Sequence, residues 1–448
     1  MRTFLTIWLG RVVARVGSGL TGFALAVWVY QRTGSVTQLA LVSFFMTLPA
    51  VLMSPLAGTL VDRWDRRRAM ILSDAGAGLS TLAIALLVWG GQAEIWLIYL
   101  ALAVAAVFQS FQWPAFSAAT SLLVRNQDLG RANGLTQLGL AIAQILAPVL
   151  GAALLLAIEL RGVILVNFLT FLVAILTLSL VRIPRPAVRS EGAPRGSLLG
   201  EAAYGWTYLR QRPGLLGLLA LFAATNFTMG MLTVLVTPLV LSFAPPSVLG
   251  PVLGVAGGGM LAGGLLMSVW GGPRQRARGI FIPLLLQGIA LLIGGWRESA
   301  PLIAASAFAF MLGFPILNAC SQAIWQSKVA PEVQGRVFAM RQMIAMSALP
   351  LAQLAAGPLA DFVFEPLLAA GGPLAGSVGQ LVGVGPGRGI GLLFIALGIA
   401  NLLALAAAWS YPRLRRVEDE LPDAVGVAAP TAQAIGEASE AAADATLA

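Results

Sequence analysis

Five charged side chains stand inside stretches of chain that are otherwise apolar: Arg11, Arg15, Asp74, Arg341 and Asp361. A charge surrounded by hydrocarbon is costly, and it persists where it binds, carries or pairs with something. Arg11 lies close enough to the start of its stretch for its long side chain to reach polar surroundings. Arg15 lies about 18 Å in at 1.5 Å per residue, too deep for that. It is placed to attract an anionic group of a solute or to pair with a carboxylate. Asp74 and Arg341 lie near the same end of their stretches, where structural roles suit them, and Asp74 is also a candidate proton carrier. Glu365 follows Asp361 by one helical turn. Two carboxylates at that spacing can share and carry a proton, and they suit a solvated loop margin equally well. The chain has no histidine, so an intramembrane proton carrier must be Asp or Glu. Its single cysteine, Cys320, excludes an intrachain disulfide.

Amides recur at helical spacing inside other apolar stretches: Gln109 with Gln112, Asn318 with Gln322 and Gln326, and singly Asn226 and Gln144. They could line a solute cavity or bond one helix to another. Trp113 and Phe116 beside the glutamines would suit a large amphipathic ligand. Gly383 to Gly389 is glycine-rich, but no Lys-Ser/Thr follows and no strand precedes, so nucleotide binding is not expected. No Walker sequence occurs elsewhere, so ATP-driven work would need a separate ATPase subunit. No metal site or cofactor is expected.

The elements that position these residues follow from composition. Of 448 residues 58% are apolar and 10% charged, with a mean hydropathy of +0.85. A soluble domain carries roughly 25% charge, so a soluble enzyme is excluded, as are disorder, collagen and coiled coil. The apolar runs are continuous rather than alternating, which excludes a β-barrel. A membrane-spanning helix needs about 20 apolar residues, and the runs divide into twelve spans: 4–30, 36–61, 69–90, 94–118, 133–158, 162–182, 215–242, 248–271, 278–295, 300–327, 337–363 and 389–411. The expected layout is an all-α polytopic membrane protein. Its parts are a first six-helix bundle (1–182), a linker (183–213), a second six-helix bundle (214–412) and an acidic tail (413–448) expected to be disordered. Arg11 and Arg15 interrupt the first run, which reads as a retained span rather than a cleaved leader. In the linker, Leu198, Ala202, Trp206 and Leu209 share one face, as in a helix lying on a membrane surface.

The 28 basic residues are unevenly placed. With the amino terminus inside, 22 fall at the inner ends of spans, and only Arg32, Arg161, Arg297 and Arg388 fall at the outer ends. The positive-inside rule therefore puts both termini and the linker in the cytoplasm. Trp28, Trp89, Trp96 and Trp296 at outer ends, and Trp270 and Trp409 at inner ends, are placed as interfacial anchors. The net charge of +9 points to anionic lipid, not to nucleic acid. The halves echo each other: Gly130-Arg131 by Gly335-Arg336, Pro114 by Pro315, and Arg66 to Arg68 by Arg274, Arg276 and Arg278. Parallel repeats of this kind suggest two bundles facing across a cavity.

One segment carries its chemistry in its order: Gly58-Thr59-Leu60-Val61-Asp62-Arg63-Trp64-Asp65-Arg66-Arg67-Arg68. Asp62 falls at the carboxyl end of a helix, where the dipole is already negative. A carboxylate there is unfavourable unless a cation or another helix's amino terminus receives it. Gly58, one turn earlier, lets a second helix approach closely. The order reads as a latch between bundles. A plain basic loop would need only the arginines.

This segment resembles the loop between the second and third helices of major facilitator superfamily transporters. A narrower resemblance, over about residues 1–412, is to the branch containing macrolide-efflux and enterobactin-exporter proteins. It rests on Trp28-Val29-Tyr30-Gln31-Arg32-Thr33-Gly34-Ser35, Leu48-Pro49, Gly335-Arg336-Val337-Phe338, Gly357-Pro358-Leu359-Ala360-Asp361 and Gly385-Pro386-Gly387-Arg388-Gly389-Ile390. The resemblance implies twelve helices in two six-helix bundles. It implies that Asp62, with Arg63, Arg66 and Arg67, gates the protein by meeting the region of Gly335 and Arg336 when the protein is open outward, with Arg125 and Asp128 in the same cluster. It implies that the first, fourth, seventh and tenth helices line the cavity, giving Arg15, Gln109, Gln112, Trp113, Asn226, Asn318 and Gln322 as expected substrate contacts. Gly134, Pro148 and Gly151 on the fifth span are similar to the superfamily's antiporter motif, with Ala143 and Ala147 where glycine is usual. That favours export. The expected function is a monomeric, proton-coupled exporter of amphipathic small molecules in the bacterial inner membrane, among membrane lipids. A macrolide-like drug, a siderophore or another natural product would be its solute. Many such exporters have an acidic residue in the first helix. This chain has none, so the coupling role falls to Asp361, Glu365 or Asp74. A nutrient importer, a lysophospholipid-type lipid flippase, a sensor, or the permease half of an ATP-driven complex on the same fold are the alternatives.

Overall fold

The computed structural model of the protein describes residues 2–91, 94–124, 129–181, 206–273, 275–329 and 331–420. Their regular structure is helical throughout. In the first half the helices are Arg2–Thr33, Val36–Arg63, Arg66–Trp89, Ile95–Ser110 continued by Gln112–Leu123, and the long stretch Leu129–Leu180. In the second half they are Pro213–Leu241, Pro246–Trp270, Arg278–Trp296, Ala300–Lys328, Pro331–Pro358 continued by Leu359–Phe364 and Glu365–Leu368, and Arg388–Ser410. Eleven stretches among the described residues are long and apolar enough to cross a membrane. One of them, Gly134–Leu180, has 47 residues, or about 70 Å of helix at 1.5 Å each, more than twice the ~30 Å hydrocarbon core. It holds the fifth and sixth spans, parted at Glu159, whose φ of 56° breaks the helix.

Local signals set the ends. Gly34 takes φ +65°, and Ser35 then caps the second span by accepting from the Gln38 N–H. Asp65 caps the third by accepting from the N–H groups of Arg67 and Arg68. Three features differ from the expected spans. The fourth is interrupted at Phe111 and runs on to Leu123. The eleventh runs on to Leu368 through a π-helical turn, Leu359–Phe364. The start of the acidic tail is helical and packed, with Leu414 and Val417 buried. Of the expected linker helix, Trp206 and Leu209 lie on a short helical segment, exposed and buried respectively, whereas Leu198 and Ala202 lie outside the described residues.

Each half packs within itself. The first span lies on the fifth and sixth, the second and third on the fourth, the eighth and ninth on the tenth, and the seventh on the eleventh. The main contacts across the halves are second with eleventh and fifth with eighth. Small residues make the latter possible. Gly250, Gly254 and Gly257 lie against Pro148, Val149, Ile145 and Gln144, and a Cβ at Gly250 or Gly257 would press on the fifth span's backbone.

The apolar core is unequal at the two ends. At the arginine-poor end one cluster contains residues of both halves: Phe23, Val27, Leu39 and Ala152 with Met231, Leu235, Leu249 and Ala356. At the arginine-rich end the buried apolar residues form two separate clusters, one around Phe4, Met70 and Phe116 and the other around Leu218, Trp325 and Val337. Among the described residues, a buried apolar cluster joins the two halves at the arginine-poor end and none does at the arginine-rich end.

Candidate functional site

Trp8, Arg11 and Arg15 recur at near-helical spacing on the first span. With Val12, Trp113, Phe116, Thr136 and Gly139 from the first, fourth and fifth spans they line a narrow cleft. The Trp8 Nε1–H donates to the Leu135 carbonyl at 2.7 Å, fixing that indole against the fifth span. Arg15 has no anionic partner among the described residues, and Trp113 is exposed. A cationic head beside exposed aromatic surface can hold a solute that carries an acidic or π-rich group on an apolar body.

Behind this cleft is a buried carboxylate. Asp74, on the third span, is 1% exposed. Arg11 Nη1 donates to its Oδ1 at 3.4 Å, and Gln112 Nε2 donates to the same oxygen. Its Oδ2 has no hydrogen-bond partner among the described residues. Arg11 therefore has one face on the cleft and one on Asp74. Sequence reasoning set Arg11 aside as able to escape to the surface. Its spacing with Trp8 and Arg15 was the signal that could have placed it.

The amides divide. Gln112 is turned to Asp74 and the Met70 carbonyl, away from the cleft. Gln322 Oε1 accepts from Arg341 Nη1 at 2.6 Å. Arg341 also lies over the rings of Trp325 and Phe222, at 5.1 and 5.6 Å. Asn318 Nδ2 donates to the Phe314 carbonyl of its own helix at 2.9 Å. Asn226 is buried, with its Nδ2 unpartnered among the described residues, and Gln109 is exposed. Arg15 and Trp113 thus come together, and the amides are distributed over both halves.

The gating residues are partly placed. The side chains of Gly58, Asp62, Arg63 and Arg336 lie outside the described part, as does Asp128 altogether. Arg67 donates from Nε to the Leu178 carbonyl at 2.8 Å and from Nη2 to that of Ser179 at 2.5 Å, so it caps the end of the sixth span within its own half. Trp64 stacks on Phe111 at 6.0 Å. On the fifth span Gly134 is exposed, Pro148 lies against Gly250 of the eighth, and Gly151 meets Phe23 of the first.

At the arginine-poor end Asp361 and Glu365 each sit at the amino terminus of another helix. Asp361 accepts from the start of the second span. Glu365 accepts from the N–H groups of Gly387 (3.2 Å) and Ile390 (3.0 Å) at the start of the twelfth. Arg388 donates to the carbonyls of Gly295 and Trp296, closing the ninth span's end.

Two six-span halves, joined by a shared apolar cluster at the arginine-poor end, have the architecture of a two-bundle membrane carrier. The chain belongs to the Major Facilitator Superfamily, whose sequence pattern matches residues 7–353. It is a multi-pass secondary transporter with the superfamily's twelve-helix fold, and not an enzyme. It is 29% identical over 363 residues to macrolide efflux protein A of Streptococcus pyogenes, covering 80% of this chain and 89% of that protein. It is 25% identical over 360 residues to the multidrug efflux pump Tap of Mycobacterium tuberculosis, covering 78% and 85%. In fold it is similar to a bacterial homolog of the human lysosomal transporter Spinster in an inward-facing, unoccupied conformation. The TM-score is 0.72 at 15% identity, covering 94% of this chain and 98% of that one.

Proposed function

We propose that the protein exports amphipathic small molecules from the bacterial cytoplasm by alternating access, driven by proton entry, with its arginine-rich face and both termini in the cytoplasm. The carrying observation is the one-sided apolar junction. Among the described residues both halves share an apolar cluster at the arginine-poor end and have separate ones at the arginine-rich end, and the Arg15–Trp113 cleft lies within the first half. The efflux roles in the names of the similar proteins support export, and the arginine bias supports the orientation. The solute class, a macrolide-like drug, a siderophore or another natural product, follows from the efflux roles in the names of the similar proteins.

Asp74 is the proposed proton site. Ionised, it holds Arg11. Protonated, it leaves that guanidinium uncompensated, so proton binding changes the charge beside the cleft. The test is efflux of a fluorescent solute from cells lacking their main exporters. Expression should lower cell-associated fluorescence, and a protonophore should abolish the effect. Higher fluorescence on expression would indicate import, and an effect that survives the protonophore would sink proton coupling.

A further inference from the structure

At the arginine-poor end one carboxylate fastens the two halves together. Asp361, on the eleventh span, accepts four hydrogen bonds from the start of the second. They come from the N–H groups of Val36 (3.0 Å) and Thr37 (2.8 Å) and from the hydroxyls of Ser35 (2.8 Å) and Thr37 (2.7 Å). A helix amino terminus offers free N–H groups and the positive end of the dipole, and here the anion that fills it comes from the opposite half. Gly357, one turn earlier, lies so close to Thr37 that a Cβ would overlap its backbone. The π-helical turn Leu359–Phe364 carries Asp361, with the Glu365 N–H bonded to the Ala360 carbonyl five residues back. Such turns re-aim side chains and recur at functional positions.

The order Gly357-x-Leu359-x-Asp361 repeats Gly58-x-Leu60-x-Asp62 at the end of the second span. The second and eleventh spans pack together and run in opposite directions. Each aspartate therefore belongs to the end of the molecule where the other helix begins. We propose that Asp361 is the latch of the arginine-poor gate and the counterpart of Asp62 at the arginine-rich gate, the two engaging in alternation. Release to the arginine-poor side requires the four hydrogen bonds on Asp361 to part together, because one carboxylate holds them all. This inference rests on the alternating-access reading and is independent of the solute.

The test uses the full chain with Cys320→Ser and spin labels at Gln31→Cys and Gln380→Cys, exposed positions on the two halves at the arginine-poor end. Pulsed electron–electron distance measurement on this pair reports opening of that end. Asp361→Asn keeps the side chain's size and removes its charge, and Thr37→Val removes one donor. We expect a several-fold larger long-distance population with Asp361→Asn, a smaller increase with Thr37→Val, and none with Asp62→Asn. Wild-type distributions in both gate variants would overturn the latch, as would the same widening from Asp62→Asn. Efflux assays run in parallel separate the two readings. Loss of efflux with unchanged distances rejects the latch alone. Absence of wild-type efflux with widened distances in Asp361→Asn rejects the exporter reading and leaves the latch standing.

Discussion

A buried carboxylate with one free oxygen is the least settled charge among the described residues. Breaking a buried ion pair by deleting one partner leaves the other uncompensated, so Asp74 and Arg11 are coupled whatever else they do. Asp74→Asn keeps an acceptor for the Gln112 amide and cannot take up a proton. The expected result is solute exchange near the wild-type rate with gradient-driven accumulation lost, read in inverted vesicles as solute uptake without proton release. Arg15 lies at the cleft without an anionic partner among the described residues. Arg15→Gln should weaken transport of an acid-bearing solute by about tenfold, ~1.4 kcal/mol, and change a neutral one little. Measuring KM for a matched acid and amide pair checks it. Arg15's place deep in a span was legible from its distance into an apolar run. Gln112 was legible as a polar group inside a span, but its turn to Asp74 was not, because spacing along one helix says nothing of the aspartate on the next.

Among the elements, existence was easier to read than interruption. Twelve apolar runs are long enough to cross a bilayer, and that length is a property of sequence alone. Interruption depends on which backbone bond is lost and what replaces it. Pro114 cannot donate to the Ser110 carbonyl, and the fourth span breaks there. Pro315 stands at the matching place in the tenth, which continues as one helix. The eighth span's glycines were passed over, since glycine is abundant in this chain and only the fold reveals which ones face a partner. Gly254 and Gly257 set how near the halves come. Gly257→Leu should hold them apart and lower transport by more than tenfold, with the protein still folded. Near-normal melting with lost efflux is the expected pair of readings. Wild-type efflux would show that this approach is not needed.

For the whole molecule, the arginine bias and the echoes between halves predicted two bundles and an orientation, but not the conformation adopted. Conformation is a balance between two ends, and no single stretch of sequence reports it. A carrier must keep both states within a few kcal/mol, or one end never opens. The arginine-poor end here holds a shared apolar cluster and the Asp361 network, and hydrogen bonds to a charged group contribute roughly 1.5–3 kcal/mol each. A counterweight at the other end must be of similar size, and Asp62 with the arginine loop is the assigned one. Asp62→Asn should leave the protein expressed and able to bind solute from the arginine-rich side, but resting in the state seen here and transporting almost nothing. Asp361→Asn should rest in the opposite state and also transport poorly. If both residues weight one equilibrium, the effects oppose and the double variant regains balance. Asp62→Asn with Asp361→Asn should therefore transport faster than either single variant, by several-fold in initial efflux rate at equal protein level. A double variant slower than both would mean that each aspartate serves its own half and not a shared gate.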